Sequence, residues 1–364
     1  MDILYRLRDK FNEISYRYLW KPIFFAFDPE LMHMFFIDVG RILGRFRISR
    51  LATRMMFDYE NPLLEQNILG MRFRNPIGLS AGFDKNASMM NILEDVGFGF
   101  IELGSITANH SSGNIGIRLR RLPEKKSLWV NMGLNNEGAE KIRERVKNQK
   151  VGIPVALSIA KTNCLETVDL QNGIKDYSFS LNVLKNSGSF FVINISCPNS
   201  YGGRDFAKPE RYGKLIREIK KMRIKKPIFV KLSPDMILSD VDKIILMSRK
   251  AGVSGFICTN LTKKDIGFAK GGLSGKIVEK KADRLLNYVY RKTKGEFVLV
   301  GVGGVFSAED AYRKIKLGAN LVSLFTGMIY EGPGLIGQIN REILALMKRD
   351  GYSRFDEIRG SMRV

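Results

Sequence analysis

From residue 75 to its C-terminal end the chain repeats one pattern: a short apolar run, a glycine or proline break, then a longer amphipathic run. The short runs fall at 75–79, 99–103, 154–159, 191–195, 227–232, 255–259, 297–302 and 320–324. Helical patterns follow at 86–96, 136–146, 210–222, 239–251, 278–292, 308–317 and 334–348. Strands that read as nearly unbroken Val, Ile, Leu and Phe are covered on both faces, the condition of a parallel sheet flanked by helices. Eight of them predict an α/β fold, a (β/α)8 TIM barrel, in which ligand-handling groups collect on the loops after the strands. A doubly wound open sheet is the alternative, but no GxGxxG opens a helix after the first strand.

The first sixty residues follow a different rule. They are helix-like and rich in Phe, Met, Tyr and Arg, which divides the 364 residues into a small helical extension, 1–60, and the barrel, 61–364. Asp28 is placed to cap a helix that begins at Pro29, where a missing N–H costs nothing. Tyr5, Phe11, Trp20, Phe24, Phe25, Phe35 and Phe36, among others, are more than two helices can hide in each other. One face must therefore cover the barrel, a partner or lipid. The stretch 41–54 adds five arginines and no acid, which suits an interfacial helix on anionic headgroups. The apolar run 18–27 is broken by Lys21 and too short to span a bilayer.

The charge balance, 59 basic against 37 acidic residues for a net +22, invites a nucleic-acid reading. The basic residues are spread along helical stretches such as 208–226 and no nucleic-acid motif is present, so nucleic acid is not expected as a partner. The three cysteines, Cys164, Cys197 and Cys258, form no CxxC pair, so neither a disulfide framework nor a metal site is expected.

The strand ends carry the chemistry. The fourth run delivers Asn194, Cys197 and Asn199: two carboxamides flanking a thiol that can act as nucleophile, ligand, redox partner or proton acceptor, or simply be a buried structural cysteine. The first run ends in small residues, Ser80-Ala81-Gly82, followed by Lys85, a floor on which a flat ligand can lie. Lys231, inside the apolar run PIFVKLSPD, needs an anionic or electron-rich partner. Glycine turns after the last strands, including Gly303-Gly304, offer bare N–H groups to a phosphate. Together these features favour a planar, phosphate-bearing cofactor such as FMN.

With NPIGLSAGFDKN, GFGFIELGSIT, INISCPN, VKLSPD, GGLSG, GVGGVFSAEDA and EGPGLIGQINREI in order, the chain resembles the dihydroorotate dehydrogenases. FDPELMH and the tail GYSRFDEIRG resemble the membrane-associated, quinone-using class 2 members. The resemblance implies oxidation of (S)-dihydroorotate to orotate, with FMN as cofactor and a membrane quinone as acceptor. It implies a peripheral enzyme on the cytoplasmic side of the cell membrane, with a monomer favoured. By similarity Cys197 takes the C5 proton while the C6 hydride passes to the flavin. Lys85, Asn131, Asn194, Asn199 and Asn260 hold the substrate. Ala81, Gly82, Lys85, Ser105, Ser158, Asn194, Lys231, Thr259, Gly275, Gly303, Gly304, Phe325 and Thr326 hold FMN. His33 and Arg121 flank the quinone route.

The chain also departs from the family pattern. Cysteine at 197 is typical of the soluble class 1 enzymes, where class 2 members carry serine. Val130 stands where the family has asparagine, with Asn131 one place later; Leu261 replaces a hydroxyl residue, and Ser158 an asparagine. Either Asn131 substitutes through a local shift or one ring contact is lost. The alternatives are a class 1-like enzyme using fumarate or a partner subunit, a flavin oxidoreductase for another dihydro ring, and a non-catalytic basic scaffold.

Overall fold

The computed structural model describes residues 2–263 and 270–362. All eight expected strands form: β1 (Ile77–Leu79), β2 (Phe100–Ile106), β3 (Val155–Ile159), β4 (Phe190–Asn194), β5 (Ile228–Leu232), β6 (Gly255–Cys258), β7 (Val298–Val302) and β8 (Leu321–Leu324). They pair in parallel, each with its sequence neighbours, and β8 closes on β1 through the register Val322↔Ile77 and Leu324↔Leu79. The strands are buried almost throughout, as their unbroken apolar sequence requires. Closure also leaves no strand edge open to solvent or to another chain.

A layer of Phe100, Phe190, Val192, Phe229, Ile257 and Val300 fills the barrel near the strand starts. A hairpin that the sequence reading did not anticipate, Gln66–Ile68 with Met71–Phe73, caps this end. Phe73 sets its ring edge-on to Phe100 at a centroid distance of 5.7 Å. The plug leaves the opposite mouth, at the strand C-termini, as the open end. A second unexpected sheet, antiparallel strands Leu119–Leu122, Ser127–Val130 and Gly272–Gly275, walls one side of that mouth. The helix Leu170–Leu184, whose first turn is capped by Asp169, also went unnoticed between strands three and four.

The N-terminal residues form α1 (Asp2–Ser15), a five-residue π-helical turn (Tyr16–Trp20), α2 (Lys21–Ala26), α3 (Pro29–Leu43) and α4 (Arg47–Phe57). Asp28 caps α3 as expected, its carboxylate accepting from the N–H groups of Glu30 and Leu31 at 2.9 and 3.0 Å. Polar locks hold the extension to the barrel. Asp9 accepts from Arg341 at 2.7 Å, and the buried Asp95 takes both Arg50 and Arg54. The arginines of 41–54 are therefore not all free for headgroups: Arg50 and Arg54 are used internally and Arg41 pairs with Asp38. Arg45 and Arg47 stay exposed. The outer face of the helices exposes Leu4, Leu7, Phe11, Leu31, Phe35 and Ile48. None of the described helices is long and apolar enough to cross a membrane.

Candidate active site

The loops after the strands enclose a cleft with about 1030 Å³ of empty space, counted to its mouth. Seven of the eight strand ends contribute to its lining, through Ala81, Ser105, Asn194, Lys231, Thr259, Gly303 and Thr326; the end of β3 does not. One side of the floor is bare backbone. Gly82 has φ +107°, and a Cβ there would meet only the Phe325 ring, 3.8 Å away, so it would project into the cleft. Gly303, at φ +105°, turns the chain after β7 against Val278, where a Cβ would come within 2.7 Å.

Lys231 is buried on β5, and its partner is Glu102 of β2: the ammonium reaches the two carboxylate oxygens at 3.1 and 3.0 Å. The same carboxylate accepts from the Ala81 N–H at 3.1 Å, tying the cation to the floor of the cleft. The sequence reading demanded a partner for Lys231 but did not find Glu102. The signal was there, an acid in the middle of the apolar run FIELG.

The carboxamides form a connected set. Asn194 donates to Ser105 Oγ at 2.8 Å, and its oxygen accepts from Ser196 and from Asn260 Nδ2 at 3.1 Å. Tyr177 fixes the backbone there by donating to the Asn194 carbonyl at 2.8 Å. Asn199 donates to the Val130 carbonyl at 2.9 Å, while its own Oδ1 is buried without a partner on the cleft wall. An orphan acceptor of this kind costs free energy unless a ligand N–H meets it.

Two of the expected substrate and cofactor residues do not line the cleft. Asn131 turns away: its Oδ1 accepts from Asn114 at 2.8 Å, and Val130 faces the cleft instead. Alternation along the strand Ser127–Val130 puts adjacent side chains on opposite faces, so a one-residue displacement of the amide moves it out of the site. Ser158 is too short to reach; its hydroxyl meets Ser105 Oγ at 3.0 Å and acts only through it. Leu261, by contrast, lines the wall. Asn114 was missed altogether: it donates to both Asn131 Oδ1 and the Asn199 carbonyl, bracing the loop that carries the orphan acceptor.

Cys197 lines the cleft beside these amides. Burial pushes its thiol above the ordinary range, opposed by the Asn199 N–H, Arg204 and Lys161. Lys85 also lines the cleft, and burial lowers its ammonium to about 8, with Glu30 of α3 opposing and Arg118 reinforcing that shift.

His33 lies outside the cleft. It meets the Phe83 carbonyl at 2.7 Å, so Nε2 carries the proton, and burial beside Lys85 lowers the imidazole to about 3. Arg121 donates to the Phe27 carbonyl at 2.7 Å and stacks over the Phe25 ring at 4.6 Å. Between that ring and the cleft runs an apolar cluster of Phe25, Tyr330, Phe306, Val130 and Phe325, the last three of which also line the cleft. Packed apolar side chains thus link the helical extension to the cleft edge.

The residues present fit FMN: a side-chain-free floor for a ring, a buried cation beside it, hydroxyls at Ser105, Thr259 and Thr326, and the Gly303-Gly304 turn for a phosphate. The family model for dihydroorotate dehydrogenase matches residues 63–347. A dihydroorotate dehydrogenase (quinone) of Sulfurimonas denitrificans is 38% identical over 349 residues, covering 94% of this chain and 98% of that one. One of Gloeobacter violaceus is 34% identical over 355 residues, with the same coverage. A crystal structure of DHODH from Eimeria tenella in complex with ferulenol superposes with a TM-score of 0.80 at 25% identity, covering 92% of this chain and 95% of that one.

Proposed function

This chain belongs to the dihydroorotate dehydrogenase family, and from that premise we propose how its own residues divide the work. The enzyme oxidises dihydroorotate to orotate in pyrimidine biosynthesis, with FMN as cofactor and a quinone as final acceptor. Bound FMN supplies the acceptor for the substrate hydride and, in the second half-reaction, the electrons for the quinone.

Asn194, Asn199 and Asn260 clamp the substrate ring. The observation that carries this reading is the buried, partnerless Asn199 Oδ1, an acceptor waiting for a ring N–H two residues from the thiol. Lys85 holds the substrate's negative charge. Cys197 is the base: its thiolate takes the C5 proton, and the electron pair of the broken C–H bond becomes the ring double bond as C6 gives up its hydride. Because burial raises the thiol, only a minority of molecules carry the thiolate near neutrality, and the rate depends on that fraction.

Ala81, Gly82, Ser105, Thr259, Gly275, Gly303, Gly304, Phe325 and Thr326 hold the cofactor, with Lys231 placing positive charge beside its ring. Asn131 and Ser158 drop out of direct contact for the reasons given by their hydrogen bonds. The quinone enters along the apolar side chains Phe25 and Phe325, flanked by His33 and Arg121, and the exposed apolar face of the helices rests on the membrane surface. Acceptor specificity is the test. Flavin-loaded protein bleached anaerobically by dihydroorotate is mixed with a quinone, fumarate or NAD; rapid reoxidation by the quinone alone is expected, and faster reoxidation by fumarate would overturn the acceptor reading.

A further inference from the structure

Adjoining the main cleft, and sharing Leu134, Asn194 and Cys197 with it, lies a small, partly open chamber of about 220 Å³ of empty space, counted to its mouth. Its wall includes Lys161, Tyr177, Asn194, Ser200 and Phe206 as well as Cys197. Lys161 follows β3 and is only 3% exposed, yet no carboxylate pairs with it among the described residues. Its ammonium donates to two neutral acceptors, Thr167 Oγ1 at 3.0 Å and the Tyr201 carbonyl at 2.8 Å. Burial lowers this ammonium against the opposing pull of Cys164, Asp176, Asp205 and Cys197, so with hydrogen bonds to neutral groups alone the cation is costly unless an anion forms beside it.

The surrounding charges identify that anion. Asp205 is taken by Lys208 at 3.0 Å, and Asp176 accepts the Thr162 N–H at 2.9 Å while burial raises its carboxyl. Cys164 shares Thr167 with Lys161 but does not line the chamber. Tyr177 has spent its hydroxyl on Asn194, and burial raises it. Arg204, the other cation near Cys197, is neutralised by Asp235 at 2.9 Å. Of the acids whose charge acts on Lys161, Cys164, Asp176, Asp205 and Cys197, only Cys197 lines the chamber with it.

We propose that Lys161 is the counter-ion of the Cys197 thiolate, a positioning residue that acts through the side chamber to keep the base in its working form. Lys161 keeps its proton throughout. The C5–H bond breaks and an S–H bond forms, so the chamber passes from an ion pair to an ammonium beside a neutral thiol. The proposal rests on Cys197 being the base, but the pairing itself is measurable without turnover.

The measurement is the pH dependence of iodoacetamide alkylation of Cys197 in the flavin-loaded protein, followed by peptide mass so that Cys164 and Cys258 are read separately. In Lys161→Gln the midpoint should rise by about one pH unit, the lower end of what a neighbouring opposite charge achieves, cutting the alkylation rate at neutral pH about tenfold. Lys161→Arg should restore it, and Lys161→Met serves if the Gln variant does not fold. A midpoint that is the same with and without the charge overturns the pairing. A midpoint that moves while the pH profile of flavin reduction by dihydroorotate stays put supports the pairing and overturns Cys197 as the base.

Discussion

Replacing Glu102 by glutamine tests the electrostatic floor of the site. The substitution is nearly isosteric and retains an oxygen for the Ala81 N–H, so it removes charge and little else. Lys231 and Glu102 are 6% and 1% exposed in their side chains and 3.0 Å apart. At that distance and an effective dielectric of about 20, their attraction is about 5 kcal/mol, of which a neutral hydrogen bond recovers about 1. A net loss of about 3–5 kcal/mol is expected, in line with buried pairs broken by removing one partner. The assay is urea unfolding at saturating FMN, so that mass action on the cofactor is the same for both proteins. Adding Lys231→Met should return most of the loss, because the orphaned cation is gone, although cofactor retention falls with it. A Glu102→Gln loss below about 1 kcal/mol would refute the reasoning, since it would mean that Lys231 does not depend on the carboxylate.

Three further outcomes are expected. Cys197→Ser should retain FMN, visible in its absorbance, while dihydroorotate reduces it about a hundredfold more slowly or worse, the scale of a lost general base. Since burial raises the thiol, the rate in the native enzyme should keep climbing with pH beyond the ordinary thiol range, a climb the serine variant lacks. His33 is depressed to about 3, so the unfolded chain binds the extra proton first as pH falls below its ordinary 6.5. Stability is then lost through that window, by about 2 kcal/mol at pH 5, and urea unfolding of His33→Phe should show a correspondingly shallower acid loss. Leu31 and Phe35 are 60% and 51% exposed on α3, so Leu31→Glu with Phe35→Glu should leave flavin reduction intact. Sedimentation with vesicles should show binding reduced by more than about tenfold, the worth of one apolar side chain withdrawn from a bilayer.

The barrel was legible because its physics is local in sequence: each strand is buried on both faces and reads as a solid apolar run. The two small antiparallel sheets were not, since strands of three or four residues carry too little pattern to separate from loop, whether half-exposed or buried. Leu170–Leu184 was overlooked because Gly173, Asn172 and Asn182 interrupt its apolar period, and its capping Asp169 was the clearest sign of it. At the site, motif order picked out Cys197, Asn194, Asn199 and Lys231, all of which meet in one cleft. It misplaced Asn131 and Ser158 because side-chain direction and reach are set by register and length, and motif position carries neither.

What the sequence determined by itself was the architecture, the family and the kinds of group at each strand end, because strand period and motif order are properties of neighbouring residues. What the tertiary structure decided was pairing across the barrel. Lys231 finds Glu102 from a strand 129 residues away, Asp95 turns two surface-looking arginines inward, and Lys161 comes to line the same small chamber as Cys197. Charges buried in a low-dielectric interior must be answered by whatever the fold brings beside them, and closing the barrel is the step that chooses those neighbours.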